Sequence, residues 1–259
     1  MDQRNNKVIG IVGGMGPHAG VALMSAVLRH TGACADQQYL STILMSFPGE
    51  VADRTLFLEG KEAVNPAFRI SEIIKKLEST GAAVVGIACN TSHSPLIYQV
   101  ILEELDRINS QVRMVPMPFE TCRYIKENHP DVRRIGLMAT NGTYGSGIYK
   151  DLLEEWGYDM ILPDVLFQND IIHRMIYDPV FGIKSSAGNI TPQVRVLLDK
   201  ALTYFKNRRA DAVILGCTEF SLATTGKRVK GMLVIDSIES LAKALIREAT
   251  CAGMRRLQL

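Results

Sequence analysis

Short apolar segments alternate with amphipathic ones along most of this chain. Eight apolar runs, rich in β-branched residues and bounded by Gly, Asn or Pro, predict strands buried on both faces. They cover residues 8–12, 40–47, 82–88, 113–117, 135–139, 160–165, 212–215 and 233–235. Helical periodicity predicts helices at 20–30, 67–79, 94–108, 121–127, 147–156, 194–206 and 238–252. This alternation predicts an α/β fold of parallel sheets with helices on both faces.

Two features recur at nearly one offset, which indicates an internal repeat. Gly10 and Gly136 hold equivalent places in strands that run into a loop and then a helix. Later in each half, a strand ends at a cysteine with a threonine within the next two residues, at Cys89 and at Cys217. We therefore predict two similar, doubly wound lobes related by pseudo-symmetry. The first comprises residues 1–117 plus 231–259, the second comprises 118–230, and a site lies between them.

Composition and charge exclude several classes of protein. Hydrophobic residues make up 47% of the 259 residues and charged residues 22%, which is typical of a globular protein with a well-filled core. The net charge of +2 is too weak to indicate nucleic-acid binding. No apolar run is long enough to span a bilayer, and the polar N-terminus does not resemble a signal peptide. These features predict a cytoplasmic protein with no membrane partner.

The five cysteines are odd in number and form no C-x-x-C pair, so we interpret them as free thiols. Cys34, Cys122 and Cys251 have no counterpart in the repeat and are predicted to be packing residues. Cys89 and Cys217 instead end strands, where ligands bind in open α/β sheets. Helix-compatible sequence follows each of them, so a helix N-terminus is expected to lower the pKa of both thiols.

Two thiols in equivalent positions of facing lobes suggest the inversion of a stereocentre. One thiolate removes the Cα proton of an amino acid, and the other thiol delivers a proton to the opposite face. Glu219, two residues after Cys217, is predicted to assist a thiol, to orient a substrate amino group or to cap a turn. His93 is predicted to lie in the turn after Cys89, where it could tune that thiol.

The glycine-rich loop after the first strand does not match a dinucleotide-binding motif, because its glycines at 10, 13, 14 and 16 are out of register with G-x-G-x-x-G. We interpret it as a tight turn that includes Met15 and Gly16 and whose N–H groups approach a substrate carboxylate. Cys89 and His93 have no second ligand pair at a comparable spacing, so no metal site is predicted.

Several motifs together resemble the aspartate/glutamate racemase family, particularly its aspartate racemase branch. They span residues 8–236. The motifs are Ile9-Gly10-Ile11-Val12-Gly13-Gly14-Met15-Gly16-Pro17, Asp53-Arg54-Thr55, Ala88-Cys89-Asn90-Thr91-Ser92-His93, the stretch from Tyr177 to Lys184, and Leu215-Gly216-Cys217-Thr218-Glu219.

This resemblance implies a cofactor-independent racemase, an isomerase without pyridoxal phosphate or metal, and commonly a homodimer. It implies that Cys89 and Cys217 are the two acid/base residues and that Arg54 and Lys184 hold carboxylates of the substrate. A bidentate arginine and a lysine point charge suit a dicarboxylic amino acid, and aspartate is the predicted substrate. Further substrate-binding residues are expected in the matched motifs: Met15, Gly16, Asn90, Thr91, Thr218 and Glu219.

The chain departs from the family pattern in the loop Phe47-Pro48-Gly49-Glu50, where Asn-Pro material is common, which leaves the substrate side chain open. It also lacks the Asp-Ser-Gly loop of glutamate racemases. Alternatives are therefore a glutamate or broad-specificity racemase and a cysteine-dependent isomerase or decarboxylase of small dicarboxylates. A non-catalytic binding protein for acidic amino acids would leave the paired thiols unexplained.

Overall fold

The computed structural model describes residues 6–224 and 226–250 of the chain. Within them, nine strands form two sheets, with the orders β2-β1-β3-β4 and β6-β5-β7-β9-β8. The strands are β1 (Val8–Gly13), β2 (Thr42–Ser46), β3 (Ala82–Ile87), β4 (Arg113–Val115), β5 (Arg134–Met138), β6 (Asp159–Ile161), β7 (Ala212–Leu215), β8 (Arg228–Val229) and β9 (Met232–Asp236). Apart from the antiparallel pair β8–β9, every pairing is parallel.

Helices connect the strands. They are α1 (Pro17–Thr31), α2 (Arg54–Leu58), α3 (Pro66–Ser79), α4 (Pro95–Arg107), α5 (Met117–Asn128), α6 (Asn141–Gly145), α7 (Ile148–Glu155), α8 (Val165–Phe167), α9 (Arg174–Tyr177), α10 (Pro192–Asn207), α11 (Phe220–Ala223) and α12 (Ser237–Thr250). A π-helical turn, Gln168–His173, joins α8 to α9.

The first sheet is covered on both faces, which explains its uninterrupted apolar strands. Ile9 and Ile11 of β1 pack with α1 and α12, whereas Val12 packs with α3 and α4. Side chains alternate between the faces of a strand, so every position of β1 requires an apolar or small residue.

The second sheet is built in the same way. Ile135 and Leu137 of β5 pack with α5 and α7, and Met138 packs with α10 on the other face. A Cβ atom at Gly136 would lie 2.4 Å from the Phe205 ring, so glycine is what lets α10 approach the sheet this closely. The two covered sheets confirm the predicted fold class.

All eight predicted strands and all seven predicted helices are present, with ends shifted by a few residues. The sequence pattern missed β8 and the short helices, including α2, because two to five residues are too few to show a period. The predicted lobe boundary at residue 231 also fails for one strand, since β9 pairs with β7 in the second sheet. Of the residues after β9 that the structure describes, those of α12 return to the first lobe, where they pack on α1, and residues 251–259 lie outside the described part. An apolar run alone does not specify which neighbouring strand it pairs with.

Candidate active site

The carboxyl ends of β3 and β7 point into one cavity between the lobes, and this brings the two predicted cysteines together. The cavity has a free volume of about 10 Å³, room for about one water molecule. Its lining contains Met15, Arg54, Cys89, Asn90, Thr91, Thr140, Tyr177, Lys184, Gly216, Cys217, Thr218 and Glu219. All predicted site residues except Gly16 are in that set, and Gly16 lines the adjoining cleft.

Three lining residues were not predicted as site residues. Tyr177 lay within a motif stretch but was given no role, and Gly216 directly precedes Cys217. Thr140 follows β5, one place beyond its neighbour Ala139. The rule that placed Cys89 and Cys217 at the ends of strands would also have found Thr140, because β5 ends at the same edge of its sheet as β7.

Arg54 begins α2 and is buried beside Cys89. Its guanidinium donates hydrogen bonds to the carbonyls of Ala52 (3.0 Å) and Met15 (3.2 Å), while its Nε has no partner among the described residues. Burial disfavours the charged guanidinium, but the interactions of Arg54 with Cys89 and Asp53 outweigh this effect and raise the pKa of Arg54. Arg54 therefore places a permanent positive charge at the Cys89 side of the cavity.

Lys184 is held at the same cavity by a tyrosine and a carboxylate. Its ammonium donates to the Tyr177 hydroxyl at 3.1 Å and lies 3.7 Å from Asp53. Tyr177 donates in turn to Asp53 at 2.9 Å, and the same carboxylate caps α2 through the N–H groups of Thr55 and Leu56. Asp53 thus ties Lys184 to the helix that carries Arg54.

The charged residues Arg54, Lys184 and Asp53 stabilise one another in their ionised forms. Burial disfavours the charged form of Lys184, but its interactions with Tyr177, Glu219 and Asp53 raise its pKa above the ordinary value. Burial opposes ionisation of Asp53 as well, yet Arg54 and Lys184 lower the pKa of that carboxyl. Burial also raises the pKa of Tyr177 to about 12, so its hydroxyl keeps the proton that it donates to Asp53. Arg54 and Lys184 are both cationic at neutral pH.

Cys217 is only 6% exposed and lies against a carboxylate. Its thiol donates to Oε2 of Glu219 at 2.9 Å, and the Thr218 hydroxyl donates to the same oxygen at 3.1 Å. Burial and the charge of Glu219 raise the pKa of Cys217 well above its ordinary value. The predicted lowering is therefore wrong for this thiol, because α11 has only four residues and a carboxylate lies beside the sulfur.

Asn90 and Thr91 bridge the two lobes. The Asn90 side chain accepts a hydrogen bond from the Tyr149 hydroxyl at 2.6 Å and donates to Ser237 at 3.1 Å. The hydroxyl of Thr91 lies 3.1 Å and 2.8 Å from those of Thr140 and Thr143. These bonds engage both side chains in holding the lobes together.

Both ring nitrogens of His93 form hydrogen bonds with the backbone. Its Nδ1 hydrogen-bonds the carbonyl of Cys89 at 2.9 Å, and its Nε2 accepts from the N–H of Met117 at 3.3 Å. Nδ1 must therefore carry the ring proton, and neither nitrogen is free for the thiol of Cys89. Burial lowers the pKa of His93 to about 4. His93 thus fixes the backbone of the turn after β3.

We expect this neutral histidine to make stability depend on pH. The folded-state pKa of His93 lies below the unfolded value, so the unfolded chain takes up a proton first as the pH falls through about 6.5. Between about pH 7.5 and pH 5 this costs about 2 kcal/mol of unfolding free energy. Urea titrations at both pH values should show a smaller acid loss for His93→Asn than for the unmutated chain. The exposed His18→Asn is the matched control, and an equal acid loss in all three proteins would refute the expectation.

The other cysteines lie outside this cavity. Cys122 is buried in α5, where burial raises its pKa, and Cys34 is exposed. Cys251 lies outside the described residues. Among the residues that are described, no three His, Cys, Asp or Glu side chains cluster as a metal site would require, and none of the helices is long and apolar enough to cross a membrane.

A wider cleft of about 440 Å³ opens beside the cysteine cavity and shares Arg54, Lys184 and Glu219 with it. Its wall comes from the glycine loop, the first turns of α1 and α2, the Pro48 turn, the segment after α9 and α11, and it combines apolar residues with His18, Asp53, Arg54, Lys184 and Glu219. The apolar members of this wall are Pro17, Pro48, Val51, Ile183, Ala187 and Leu222. The cleft is therefore large enough for a small molecule.

Known proteins resemble this chain in sequence and in architecture. The chain is 27% identical over 245 residues to the broad specificity amino-acid racemase RacX of Bacillus subtilis, covering 92% of this chain and 96% of that protein. It is 29% identical over 189 residues to the glutamate racemase of Aquifex pyrophilus, covering 71% and 65%. Its structure resembles that of an aspartate racemase from Picrophilus torridus, with a TM-score of 0.76, 28% identity and 94% of each chain covered.

The sequence profile of one family accounts for nearly the whole chain. The profile of the Asp/Glu/hydantoin racemases matches residues 12–245, which include both cysteine turns and every strand from β2 to β9. The chain therefore belongs to the Asp/Glu/hydantoin racemase family of isomerases.

Proposed function

We propose that this protein is a cofactor-independent amino-acid racemase whose principal substrate is aspartate and whose acid/base pair is Cys89 and Cys217. The observation that carries the proposal is the presence of both thiols in one cavity, at the ends of equivalent strands, next to Arg54 and Lys184. A single buried cysteine is an ordinary packing residue. Two that meet at a cationic cavity favour proton transfer at a bound carboxylate.

The two cations support a dicarboxylic substrate. Arg54 can hold one carboxylate with its planar fork, and Lys184 supplies a point charge for the other. With the substrate held in this way, the thiolate of one cysteine removes the Cα proton and the thiol of the other donates a proton to the opposite face. The cysteines exchange roles in the reverse reaction.

The Cα proton of an amino acid is weakly acidic, so the site has to stabilise the carbanion as it forms. Charge that develops on the α-carboxylate is stabilised by donors already oriented towards it. We propose that backbone N–H groups of the loop containing Met15 and Gly16, and that of Asn90, join Arg54 in this role. The side chain of Asn90 is already engaged between the lobes, so only its backbone remains for the substrate.

The cysteine cavity is too small for an amino acid, so the substrate must enter with movement of the wall. The wider cleft leads to it past Arg54, Lys184 and Glu219. Lys184 lies in a succession of turns between α9 and α10 rather than in a regular element. We propose that this segment moves to admit the substrate and then returns Lys184 to Asp53 and Tyr177.

A broader substrate range is the second candidate. The apolar lining of the wider cleft, with Val51, Ile183 and Leu222, suits side chains longer and less polar than that of aspartate. The relative in Bacillus subtilis that matches 92% of this chain is itself named a broad specificity racemase. Glutamate and apolar amino acids are therefore the first alternatives to test.

We also propose that the protein is cytoplasmic and forms a homodimer. Within each chain we propose two lobes with the boundaries predicted above, except that β9 belongs to the second lobe. Light scattering measures the mass in solution directly. A mass of one chain at micromolar concentration would refute the dimer.

Incubation with L-aspartate in D2O, with a chelator and no added cofactor, tests the function. We expect D-aspartate to appear with deuterium at Cα, because the proton that is delivered comes from a solvent-exchanged thiol. Proton NMR follows the Cα signal, and chiral chromatography follows the enantiomer.

Cys34→Ser is the matched control for this assay, since Cys34 is an exposed thiol outside the cavity and its loss should leave the rate unchanged. If aspartate gives neither exchange nor inversion, the same assay with glutamate and an apolar panel separates the broad-specificity alternative from failure of the racemase proposal. Release of CO2 from a dicarboxylate would instead support a decarboxylase.

A further inference from the structure

We propose that Glu219 is a positioning residue that keeps Cys217 protonated in the resting enzyme, so that Cys217 begins the cycle as the proton donor and Cys89 as the base. This inference rests on the proposed racemase function. It assigns distinct starting roles to two cysteines that the repeat makes equivalent, and it depends on a carboxylate that only one of the two turns carries.

The Cys217 thiol donates a hydrogen bond to the carboxylate of Glu219. The sulfur lies 2.9 Å from Oε2 of Glu219, and the Thr218 hydroxyl donates to the same oxygen. The other carboxylate oxygen faces the glycine loop, where a Cβ atom at Gly16 would lie 3.2 Å from it. Glu219 is 7% exposed, so solvent screens its charge little. An ionised carboxylate can only accept hydrogen bonds, so the proton between it and the sulfur belongs to Cys217.

The charged groups around Cys217 act in opposite directions. From its own turn Glu219 opposes a second negative charge on the sulfur, and from the segment after α9 Lys184 favours it. Arg54 of α2 and Tyr177 of α9 line the same cavity. Burial and the adjacent carboxylate prevail over Lys184, and the pKa of the Cys217 thiol lies well above its ordinary value.

The Cys89 turn has no carboxylate, and the charged group beside Cys89 is a cation from α2. At the position equivalent to Glu219 it has Thr91, whose hydroxyl is hydrogen-bonded to Thr140 and Thr143. The cation beside Cys89 is Arg54, a buried guanidinium that lines the same cavity. A positive neighbour favours the thiolate, and a negative neighbour favours the thiol. The cavity therefore has a negative group, Glu219, beside Cys217 and a positive group, Arg54, beside Cys89.

The proton balance of the cycle follows from this polarity. The thiolate of Cys89 forms an S–H bond as the Cα–H bond of the substrate breaks, and the electron pair stays on the substrate. The S–H bond of Cys217 then breaks as a Cα–H bond forms on the opposite face. Cys217 ends as a thiolate beside Glu219, and exchange of protons with solvent restores the resting state. The enantiomer whose Cα–H faces Cys89 meets the enzyme in the ready state.

The different resting states of the two cysteines are expected to make kcat and KM differ between the two enantiomers. The equilibrium constant of a racemisation is unity, so kcat/KM must be equal in the two directions at every pH. Glu219 therefore shifts kcat and KM together for one enantiomer relative to the other. We expect Glu219→Gln to bring the two KM values closer together.

The direct test measures the protonation of Cys217 without turnover. The unmutated chain and Glu219→Gln are treated with iodoacetamide across a series of pH values, and peptide mass spectrometry gives the alkylation rate at each cysteine. Glutamine keeps an oxygen for the hydrogen bond and removes the charge. We expect the Cys217 profile to shift to lower pH by at least about one unit, which is about a tenfold larger thiolate fraction at a given pH below both midpoints.

Glu120→Gln is the matched control. Glu120 is also a carboxylate that is 7% exposed, but it lies on α5 and pairs with Arg247. Its removal should leave the Cys217 profile unchanged. If Glu219→Gln does not fold, Glu219→Asp draws the carboxylate back from the sulfur, and a smaller shift in the same direction is expected. An unchanged Cys217 profile in a folded Glu219 variant would overturn the inference.

The outcome is separable from that of the proposed function, because alkylation requires no substrate. A shifted Cys217 profile without racemisation of any amino acid would support the role of Glu219 and reject the racemase. Racemisation with an unshifted profile would support the racemase and reject the role of Glu219.

Discussion

Replacing either Cys89 or Cys217 by serine is expected to lower the rate of aspartate racemisation by about 10³-fold or more. An acid or base that acts in the transition state typically contributes about 10²–10⁴-fold, and a serine hydroxyl is far less acidic than a thiol. Each cysteine serves as the base in one direction and as the acid in the other, so either loss blocks inversion in both directions. Initial rates measured from each pure enantiomer by chiral chromatography test this result.

Exchange of the Cα proton distinguishes two bases from one. In D2O, a Cys217→Ser enzyme still has the base on the Cys89 side, so it should exchange one enantiomer slowly without inverting it. The Cys89→Ser enzyme should exchange the other. Cys122→Ser removes a buried thiol outside the cavity and serves as a second control beside the exposed Cys34→Ser. Exchange of both enantiomers by one single variant would contradict the two-base mechanism.

Arg54→Lys is expected to reduce kcat/KM by about 10²-fold although it keeps the positive charge. The guanidinium has its contacts with the Met15 and Ala52 carbonyls fixed and leaves Nε unpartnered beside the cavity. Lysine cannot supply the planar fork to a carboxylate, and loss of charge-assisted hydrogen bonds costs about 3 kcal/mol, which corresponds to that factor. Steady-state kinetics with both enantiomers give the ratio, and Arg54→Gln should lose more activity still.

Arg54 is buried, so stability has to be measured beside activity. Arg107→Lys is the matched control, because that arginine pairs with Glu104 on the exposed side of α4. Chemical unfolding followed by circular dichroism separates a loss of folded protein from a loss of activity. A folded Arg54→Lys enzyme with unchanged kcat/KM would show that Arg54 does not bind the substrate.

Periodicity and strand-end rules were sufficient for the architecture and for the pair of cysteines. Buried parallel strands require continuous apolar runs, and ligands collect at their carboxyl ends, so Cys89 and Cys217 could be placed from the sequence. The short helix α2 was out of reach because five residues show no period, although Asp53 is a good N-cap. The Asp53–Arg54 pair was found through the family motif alone.

The electrostatics of the site could not be read from the sequence. The prediction for Cys217 relied on a helix N-terminus, but the structure places the Glu219 carboxylate against the sulfur, which has the opposite effect. Likewise, Asn90 and Thr91 were expected to contact the substrate, and their side chains are engaged between the lobes. Spacing shows which residues share a turn, whereas the direction of each side chain depends on partners far away in the chain.

The hydrogen bonds of Asn90 help to set the spacing of the two cysteines, whereas other residues line the wider cleft. The spacing of the thiols and the shape of the cleft can therefore change independently during evolution. Asn90 bonds to Ser237, and Ser237 donates to the carbonyl of Leu215 at 2.9 Å, so a short chain of hydrogen bonds ties the end of β3 to the end of β7. The spacing between the two sulfurs is thereby set within the sheets. The residues that face the wider cleft come instead from loops, from the first turns of α1 and α2 and from the four-residue helix α11. Substitutions in those loops can change which amino acid is accepted while the thiols keep their spacing, so a lineage with this scaffold can acquire new substrates without rebuilding its chemistry.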